Sequence, residues 1–266
     1  MPLAFFDWIG ENRNLRFMFE GFLTNIEIAL IAMVLAFVLG LALALVRLTR
    51  NRVVSTLGGA WIDAFRNLPL ILLILFMALY LPPSWRDFWT DNVPGWAPEA
   101  FESGLILGAF LALILYNSAV LAEIMRAGIQ SLARGQGEAA SALGMSYTQS
   151  LRHVILPQGL RRMVPALVSQ LITLNKDTTL VSIIGIQEVV RRGRQVVASG
   201  GNPFTGSTVE APILEVFILL GVWFVIVNYA LSRLSRRLEI RERKRSGGVK
   251  LERVKGLEDQ VAADPA

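Results

Sequence analysis

The residues whose types and spacing most clearly indicate a task are 138–157, which read EAASALGMSYTQSLRHVILP. Gly144 can adopt the left-handed conformation that ends many helices. Ser146, with Gln149 three residues later, has the pattern of a capping box, which starts a helix. Pro157 has no backbone N–H to donate, so we expect it to end that second helix. The pattern therefore predicts a helix, a sharp turn and a short second helix, a unit suited to binding another surface rather than to catalysis.

This predicted helix–turn–helix combines small residues with apolar ones. We expect its first helix to end near Leu143 and its second to run from Tyr147 to about Ile155. Small side chains let another backbone approach closely, and apolar side chains add contact area. The surface that they meet is either a partner protein or the helix ends of this same chain, and the residues alone favour neither. The residues assigned to docking are Glu138, Ala139, Ala140, Leu143, Gly144, Met145 and Pro157.

Isolated polar residues inside long apolar segments form a second set of candidates. Lys176 lies about midway along one such segment, where a charge costs about 2.5–3.5 kcal/mol on insertion scales. Its neighbour Asp177 points about 100° away around a helix and cannot pair with it face to face. Lys176 therefore faces either a wet pathway or a structural partner on another helix. The candidates for a solute pathway are Arg66, Asn117, Ser118, Lys176, Asp177 and Thr178.

The remaining polar groups in these segments also allow two interpretations. Arg66 follows Asp63 by three residues, a spacing that allows pairing. Pro69 removes a helical hydrogen bond nearby, so the helix either breaks to line a cavity or, as we expect, only kinks. Asn117 and Ser118 could hydrogen-bond a zwitterionic solute or hold neighbouring helices together.

The elements that must position these residues are long apolar segments. The chain has 266 residues, of which 53% are hydrophobic, and its mean hydropathy is +0.50. Apolar runs of about 18 residues or more match the thickness of a bilayer. We therefore predict an all-α membrane protein with about five transmembrane helices. The predicted spans are 24–46, 57–81, 103–125, 163–186 and 212–232, within a membrane domain of residues 24–235.

The distribution of Lys and Arg predicts the orientation of these spans. With the N-terminus outside and the C-terminus inside, eighteen Lys and Arg lie inside and six outside, as the positive-inside rule favours. This orientation places the loop of residues 126–162 in the cytoplasm, so that residue 140 is inside and residue 90 outside. Residues 1–23 form an external or interfacial segment. Residues 236–266 form a basic cytoplasmic tail, which we expect to be disordered.

The composition excludes several classes of function. There is no cysteine, so disulfides and thiol chemistry are ruled out. The single histidine, His153, has no nucleophile or metal ligands beside it in the sequence, which argues against a membrane enzyme. The net charge of +5 follows from the basic cytoplasmic loops, and we expect no nucleic acid partner. A stand-alone, ion-coupled secondary transporter remains the alternative. It would need a buried acidic residue as its proton or sodium site, and Asp177 is the only reasonable candidate.

Several blocks of the sequence, taken together, resemble one family. The stretch of residues 138–157 is similar to the Glu-Ala-Ala signature of permease subunits of bacterial ABC importers. Over about residues 20–235 the chain resembles the polar amino acid permeases, the group that includes the histidine and glutamine permeases. In place of the common Phe-Arg-Gly-Thr-Pro-Leu this chain has FRNLPL. The other matching blocks are GFLTNIEIALIAMVLAFVLGLALAL, YNSAVLAEIMRAGIQSL, PQGLRRMVPAL and NKDTTLVSIIGIQEV.

This resemblance implies a complete transport assembly in the bacterial inner membrane. The loop of residues 138–157 would form the coupling helices that seat in a groove of a cytoplasmic ABC ATPase dimer. A second permease subunit, identical or homologous, would complete the pathway, and an extracytoplasmic solute-binding protein would deliver a polar amino acid. The chain itself would need no cofactor. It has no G-x-x-x-x-G-K-[ST] phosphate loop, so ATP and Mg²⁺ would bind to the partner ATPase.

Overall fold

The computed structural model describes residues 12–95, 97–132, 135–198 and 213–263, and all regular elements in these ranges are helical. Two 3₁₀ segments cover Glu99–Glu102 and Thr178–Ile184, and a π-helical segment covers Leu151–Ile155. The α-helices are α1 (Asn12–Arg47), α2 (Arg52–Asn67), α3 (Leu70–Tyr80), α4 (Pro83–Asn92), α5 (Gly104–Gln130), α6 (Gly135–Ala142), α7 (Tyr147–Ser150), α8 (Leu156–Asp177), α9 (Val189–Ala198) and α10 (Ile213–Ala263).

Three of the described helices are long and apolar enough to cross a membrane. They contain the apolar stretches Asn14–Arg47, Gly104–Gln130 and Ile213–Glu242, and the bent pair formed by α2 and α3 would make a fourth span. The all-α membrane fold predicted from the sequence is therefore confirmed. The remaining predicted span, 163–186, consists of most of α8 followed by the 3₁₀ segment Thr178–Ile184. The count of five and the orientation stay predictions.

The predicted span 57–81 is not one helix with a simple kink. It divides into α2 and α3, which meet at 98°. Leu68 (φ −79°, ψ 136°) and Pro69 (φ −60°, ψ 121°) both have extended backbone between the two helices. The physical reason is that a proline disfavours helical geometry in the residue before it as well as removing a donor. The side-chain amide of Asn67 donates to the carbonyl of Asp63 (2.8 Å) at the end of α2.

The two ends of the chain compare differently with the sequence-based expectations. Residues 1–11 of the predicted external segment lie outside the described residues, and residues 12–23 are the first turns of α1, continuous with the first predicted span. The tail was expected to be disordered from residue 236, whereas α10 continues as a helix to Ala263. Apolar residues recur there every three or four positions, at residues 251, 254, 257 and 261, which is helical spacing.

The chain divides into two compact units, of which the first comprises residues up to 126 together with 170–229. Its larger core surrounds α5, whose residues Ile106 and Leu113 are fully buried, and includes Ile28 of α1 and Ile74 of α3. A smaller core joins the first turns of α1 to α9 and α10. Its buried members are Met18, Phe22, Val189, Val196, Val216 and Leu220.

Glycines allow the helices of the first unit to approach closely. A Cβ added at Gly40 of α1 would lie 2.8 Å from the carbonyl oxygen of Ser118 in α5. A Cβ at Gly108 of α5 would lie 2.5 Å from backbone atoms of Ala78 in α3. Small residues at helix contacts are the usual solution in lipid, where dispersion forces replace the hydrophobic effect as the source of helix association.

The second unit comprises residues 127–169 and those from 230 onward. The end of α5 packs on the start of α8, because a Cβ at Gly159 would lie 3.0 Å from the Ile129 side chain. The guanidinium of Arg162 also donates to the carbonyl of Ser131 (2.9 Å). Within this unit, the hydroxyl of Ser235 in α10 donates to the carbonyl of Pro165 in α8 (2.9 Å).

We predict that cysteines replacing Ser84 and Ser141, both exposed, react from opposite sides of the membrane. The chain has no native cysteine, so each single variant reports one position. An impermeant maleimide should label Ser84→Cys in intact cells and Ser141→Cys only after permeabilisation, as the Lys and Arg distribution requires. Labelling of both from the same side would refute the predicted orientation.

We also predict that Gly108→Ala destabilises the protein, because the new methyl group would press on the α3 backbone. Overpacking of this kind costs about 1–3 kcal/mol. Gly221→Ala is the matched control, since a Cβ at Gly221 meets nothing within 4 Å. Thermal unfolding in detergent should show a lower midpoint for Gly108→Ala than for Gly221→Ala. Equal midpoints would contradict the close contact between α3 and α5.

Candidate docking loop and solute pathway

The turn after α6 has the two hydrogen bonds of a Schellman motif. The N–H of Met145 donates to the carbonyl of Ala140 (3.1 Å), and the N–H of Gly144 donates to that of Ser141 (3.0 Å). Gly144 has φ 78°, a conformation that a residue with a Cβ adopts only at a cost of about 1–2 kcal/mol. The predicted left-handed glycine is therefore confirmed.

The second helix begins with the predicted capping box. The Ser146 hydroxyl accepts from the N–H of Gln149 (3.4 Å), and the Gln149 side chain accepts from the N–H of Ser146 (2.8 Å). These two bonds satisfy backbone donors at a helix start that would otherwise lack partners. The turn and the cap together hold residues 140–149 in shape through local hydrogen bonds.

The sequence predicted that Pro157 would end the second helix, and this prediction is wrong. The chain is helical without a break from Tyr147 to Asp177, with Pro157 in the first turn of α8. The π-helical segment Leu151–Ile155 precedes it, and the N–H of Leu156 donates to the carbonyl of Leu151, five residues back. A proline has no backbone N–H to donate to the preceding turn of a helix, and the wider π turn accommodates this missing hydrogen bond.

The docking residues differ in what they present to solvent. Leu143 is 80% exposed at the turn, and Glu138, Ala139 and Gly144 are exposed beside it. Met145 is half-buried and Pro157 is exposed. Ala140 is only 3% exposed, so its methyl group packs inside its own unit. Added bulk at Ala140 would therefore disturb this chain before it met any partner, and Leu143 is the better probe of docking.

Three of the pathway candidates already have protein partners. Asn117 is fully buried and accepts from the side-chain amide of Gln170 in α8 (2.8 Å) while it donates to the carbonyl of Leu113 (2.8 Å). Ser118 is buried and donates to the carbonyl of Leu115 (2.8 Å). Thr178 is buried and donates to the carbonyl of Asn175 (2.7 Å). Of these contacts, the one between Asn117 and Gln170 joins two helices, whereas Ser118 and Thr178 here bond to carbonyls three residues earlier in the chain.

The three charged candidates are more accessible. Lys176, in the last turn of α8, and Arg66, in the last turn of α2, are both exposed. Asp177 is half-buried next to Lys176. The structure therefore divides the candidates into a buried group with partners inside the protein and a more accessible group whose charges are available to a solute or a partner.

A buried polar network at Asn25 was not predicted from the sequence. The Asn25 amide donates to the Thr178 hydroxyl (3.0 Å) and to the carboxylate of Glu188 (3.1 Å), and it accepts from the N–H of Val189 (3.1 Å). Glu188 is fully buried and also accepts from the N–H of Arg191 (2.7 Å), so it caps α9. An acidic residue directly before a helix was the available signal. The partner in α1 lies 163 positions away, beyond any local pattern.

Arg191, Arg192 and Arg194 lie in the short helix α9. Arg192 is buried and donates to the carbonyl of Phe17 (2.9 Å) and to the carboxylate of Glu20 (3.3 Å). Its other nitrogen lies 3.6 Å from the carboxylate of Glu99. Arg192, which lies on the predicted outer side of the membrane, therefore has a structural role.

The described part of the chain contains no group of three or more His, Asp or Glu side chains placed to hold a metal ion. The geometry therefore offers a rigid, exposed turn and a few accessible charges within a membrane protein. These features can bind and transmit movement.

Comparison with known proteins agrees with this geometry. Residues 22–244 match the family model described as "binding-protein-dependent transport system inner membrane component". The chain is 35% identical to the probable glutamine ABC transporter permease protein GlnP of Bacillus subtilis, over 89% of this chain and 99% of that protein. It is 30% identical to the glutamate/aspartate import permease protein GltK of Escherichia coli, over 89% and 98% of the two chains.

Solved structures show the same fold. A crystal structure of an amino acid ABC transporter with histidines aligns with a TM-score of 0.69 at 24% identity, over 88% of this chain and 98% of that one. The inward-facing MetNI methionine ABC transporter aligns with a TM-score of 0.61 at 21% identity, over 84% and 97%.

These matches support a transport subunit and give no support to a stand-alone, ion-coupled transporter. ATP hydrolysis in such systems belongs to a separate subunit, so this chain is not the enzyme. The chain belongs to the family of binding-protein-dependent transport system inner membrane components, the permease subunits of ABC importers.

Proposed function

We propose that this chain carries a polar amino acid across a bacterial inner membrane, with an extracytoplasmic binding protein delivering the solute. The names of the relatives support this class of substrate, since they include permeases for glutamine and for glutamate and aspartate. The observation that carries the proposal is the turn at Leu143. Local hydrogen bonds close this turn, and the Leu143 side chain, which is 80% exposed, adds little to the packing of its own chain.

The proposed partner of that turn is a cytoplasmic ABC ATPase dimer, which binds ATP and Mg²⁺. Leu143 would enter an apolar groove of the ATPase, with Glu138, Ala139, Gly144 and Met145 at the rim of the contact. An exposed apolar side chain is unfavourable in water, and a partner surface removes that cost. The Schellman turn and the capping box keep this surface in shape before the partner arrives, so little ordering entropy is lost on docking.

The continuous helix after the turn gives the coupling a physical route. The chain is helical from Tyr147 through the π segment into α8 and on to Asp177. A displacement of the docked loop would therefore act directly on α8, which ends at Lys176 and Asp177. Pro157, exposed at the π segment, would shape this connection and not touch the partner.

A second permease subunit, identical or homologous, would complete the assembly. The relatives include two differently named permeases for related solutes in one organism, GlnP and GlnM of Bacillus subtilis. Escherichia coli likewise has GltK and GltJ. These pairs support a homologous second subunit, and hence a heterodimer.

For the solute itself, the accessible cations are the proposed contacts. Lys176 and Arg66 are exposed and could bind the carboxylate that all amino acids carry, with Asp177 available to the ammonium group. Asn117 and Thr178 bond to distant parts of the chain, Ser118 bonds within its own helix, and we assign all three to the walls of the pathway.

We predict that Leu143→Asp abolishes ATP-driven uptake and weakens co-purification of the ATPase, because a charge would enter an apolar groove. Ile240→Asp is the matched control, since Ile240 is also apolar and exposed (54%) on the predicted cytoplasmic side. The measurement pairs uptake by proteoliposomes with the amount of ATPase retained on the purified permease. Normal uptake with undiminished co-purification in Leu143→Asp would remove the docking role.

We further predict that Lys176→Met lowers the uptake rate by about tenfold or more, where tenfold corresponds to ~1.4 kcal/mol. The assembled complex should still form, because the side chain is exposed. Lys176→Arg keeps the charge and should retain most activity. Uptake that is unchanged in Lys176→Met, or a loss of assembly in that variant, would contradict the proposed contact with solute.

A further inference from the structure

Helix α4, Pro83–Asn92, presents three distinct faces around its axis. Its inner face is formed by Arg86, Trp89 and, just beyond the helix, Val93, which are all half-buried. The indole N–H of Trp89 donates to the carbonyl of Phe101 (2.7 Å), and the two rings lie 6.4 Å apart. This hydrogen bond and this packing fix the rotation of α4 about its axis.

The second face of α4 is apolar and exposed. Trp85 is 58% exposed and Phe88 is 69% exposed. Because they are three positions apart on a helix, the two side chains lie on the same side of α4. Trp89 satisfies its own polar group inside the unit, whereas nothing in the described structure covers Trp85 and Phe88.

The third face of α4 is polar. Ser84, Asp87 and Asp91 are all exposed. At about 100° per residue their common direction lies about 100° around the helix from that of Trp85 and Phe88, and Asp87 lies about 160° from Trp85. A packed face, an apolar exposed face and an acidic exposed face are what a helix at a membrane surface needs, with one side toward protein, one toward lipid and one toward water.

The apolar face of α4 follows directly on exposed apolar residues of α3. Phe76 and Leu79 are each 58% exposed and Tyr80 is 75% exposed, near the end of α3. The rings of Phe76 and Tyr80 stack with centroids 5.3 Å apart. Helix α3 belongs to the bent pair that qualifies as a membrane span. Only Leu81 and Pro82 separate it from α4, so exposed aromatic residues follow one another along the chain from a predicted span into α4.

We propose that α4 lies in the boundary between lipid headgroups and acyl chains, with Trp85 and Phe88 directed into the bilayer and Asp87 and Asp91 directed into water. The occupant of the apolar face is lipid. Trp is favoured at this boundary because its ring is amphipathic. The carboxylates of Asp87 and Asp91, on the neighbouring polar face, remain hydrated and would be repelled by anionic headgroups. The helix therefore sets the depth of the end of α3 in the membrane.

The absence of cysteine from the chain allows a direct test with single spin labels. The assembled importer would be placed in phosphatidylcholine nanodiscs, with one cysteine at a time replacing Trp85, Phe88, Asp87 or Asp91. Power saturation then compares collisions with oxygen, which partitions into lipid, and with a nickel chelate, which stays in water. The expected result is preference for oxygen at 85 and 88 and for nickel at 87 and 91.

Two outcomes would overturn the proposal. If labels at 85 and 88 collide with nickel as readily as those at 87 and 91, the apolar face is in water. If labels at 85 and 88 collide with neither reagent, a protein subunit covers the face.

A second measurement compares two proteins that both carry the spin label at 91. The reference keeps Trp85 and Phe88, and the other protein has the double substitution Trp85→Ser and Phe88→Ser. Loss of the lipid contacts should raise the nickel collision rate at 91, because α4 moves toward water. An unchanged rate would show that lipid does not hold the helix.

Discussion

The reversal of the chain at Gly144 is the constraint on which the account of coupling depends. Two backbone hydrogen bonds close the end of α6, and a capping box opens α7 two residues later, so the loop needs no partner to keep its shape. Those bonds also decide orientation, because they turn Ala140 into its own unit and leave Leu143 in solvent. A surface that is rigid before it binds loses little entropy on docking and transmits displacement without first being ordered. The loop is therefore suited to mechanical coupling.

The membrane part obeys a different constraint. Lipid offers no hydrogen bonds, so polar groups inside the helix bundle must find partners within the protein. Asn117 finds Gln170, and Asn25 finds Thr178 and Glu188, in each case on another part of the chain. Glycine allows the close approach beside the second of these networks, since a Cβ at Gly21 would lie 2.9 Å from the backbone nitrogen of Val189. The exposed charges of Lys176 and Arg66 are exceptions to this internal pairing, which is the reason for placing the solute beside them.

Features encoded by neighbouring residues could be predicted from the sequence. The left-handed Gly144 and the capping box of Ser146 depend on residues within five positions of one another, and both were found. Features that depend on distant residues could not be predicted. Nothing near Asn117 indicates Gln170, 53 positions away, and the orientation of Ala140 cannot be told from that of Ala139 until α6 is packed. Pro157 and Pro69 show that a proline alone is ambiguous. A π turn carries the helix through the first, whereas extended backbone before the second gives a 98° bend.

Site-specific cross-linking from residue 143 in the assembled importer is the most direct measurement of the central claim. A photoreactive amino acid would replace Leu143, the membrane complex would be illuminated, and the cross-linked product would be identified by mass spectrometry. Because this side chain is 80% exposed, the substitution leaves the fold of the loop undisturbed. The account predicts a cross-link to the ATPase subunit, at residues that line a groove on its surface. A cross-link formed only within this chain, with the ATPase present and bound, would contradict it.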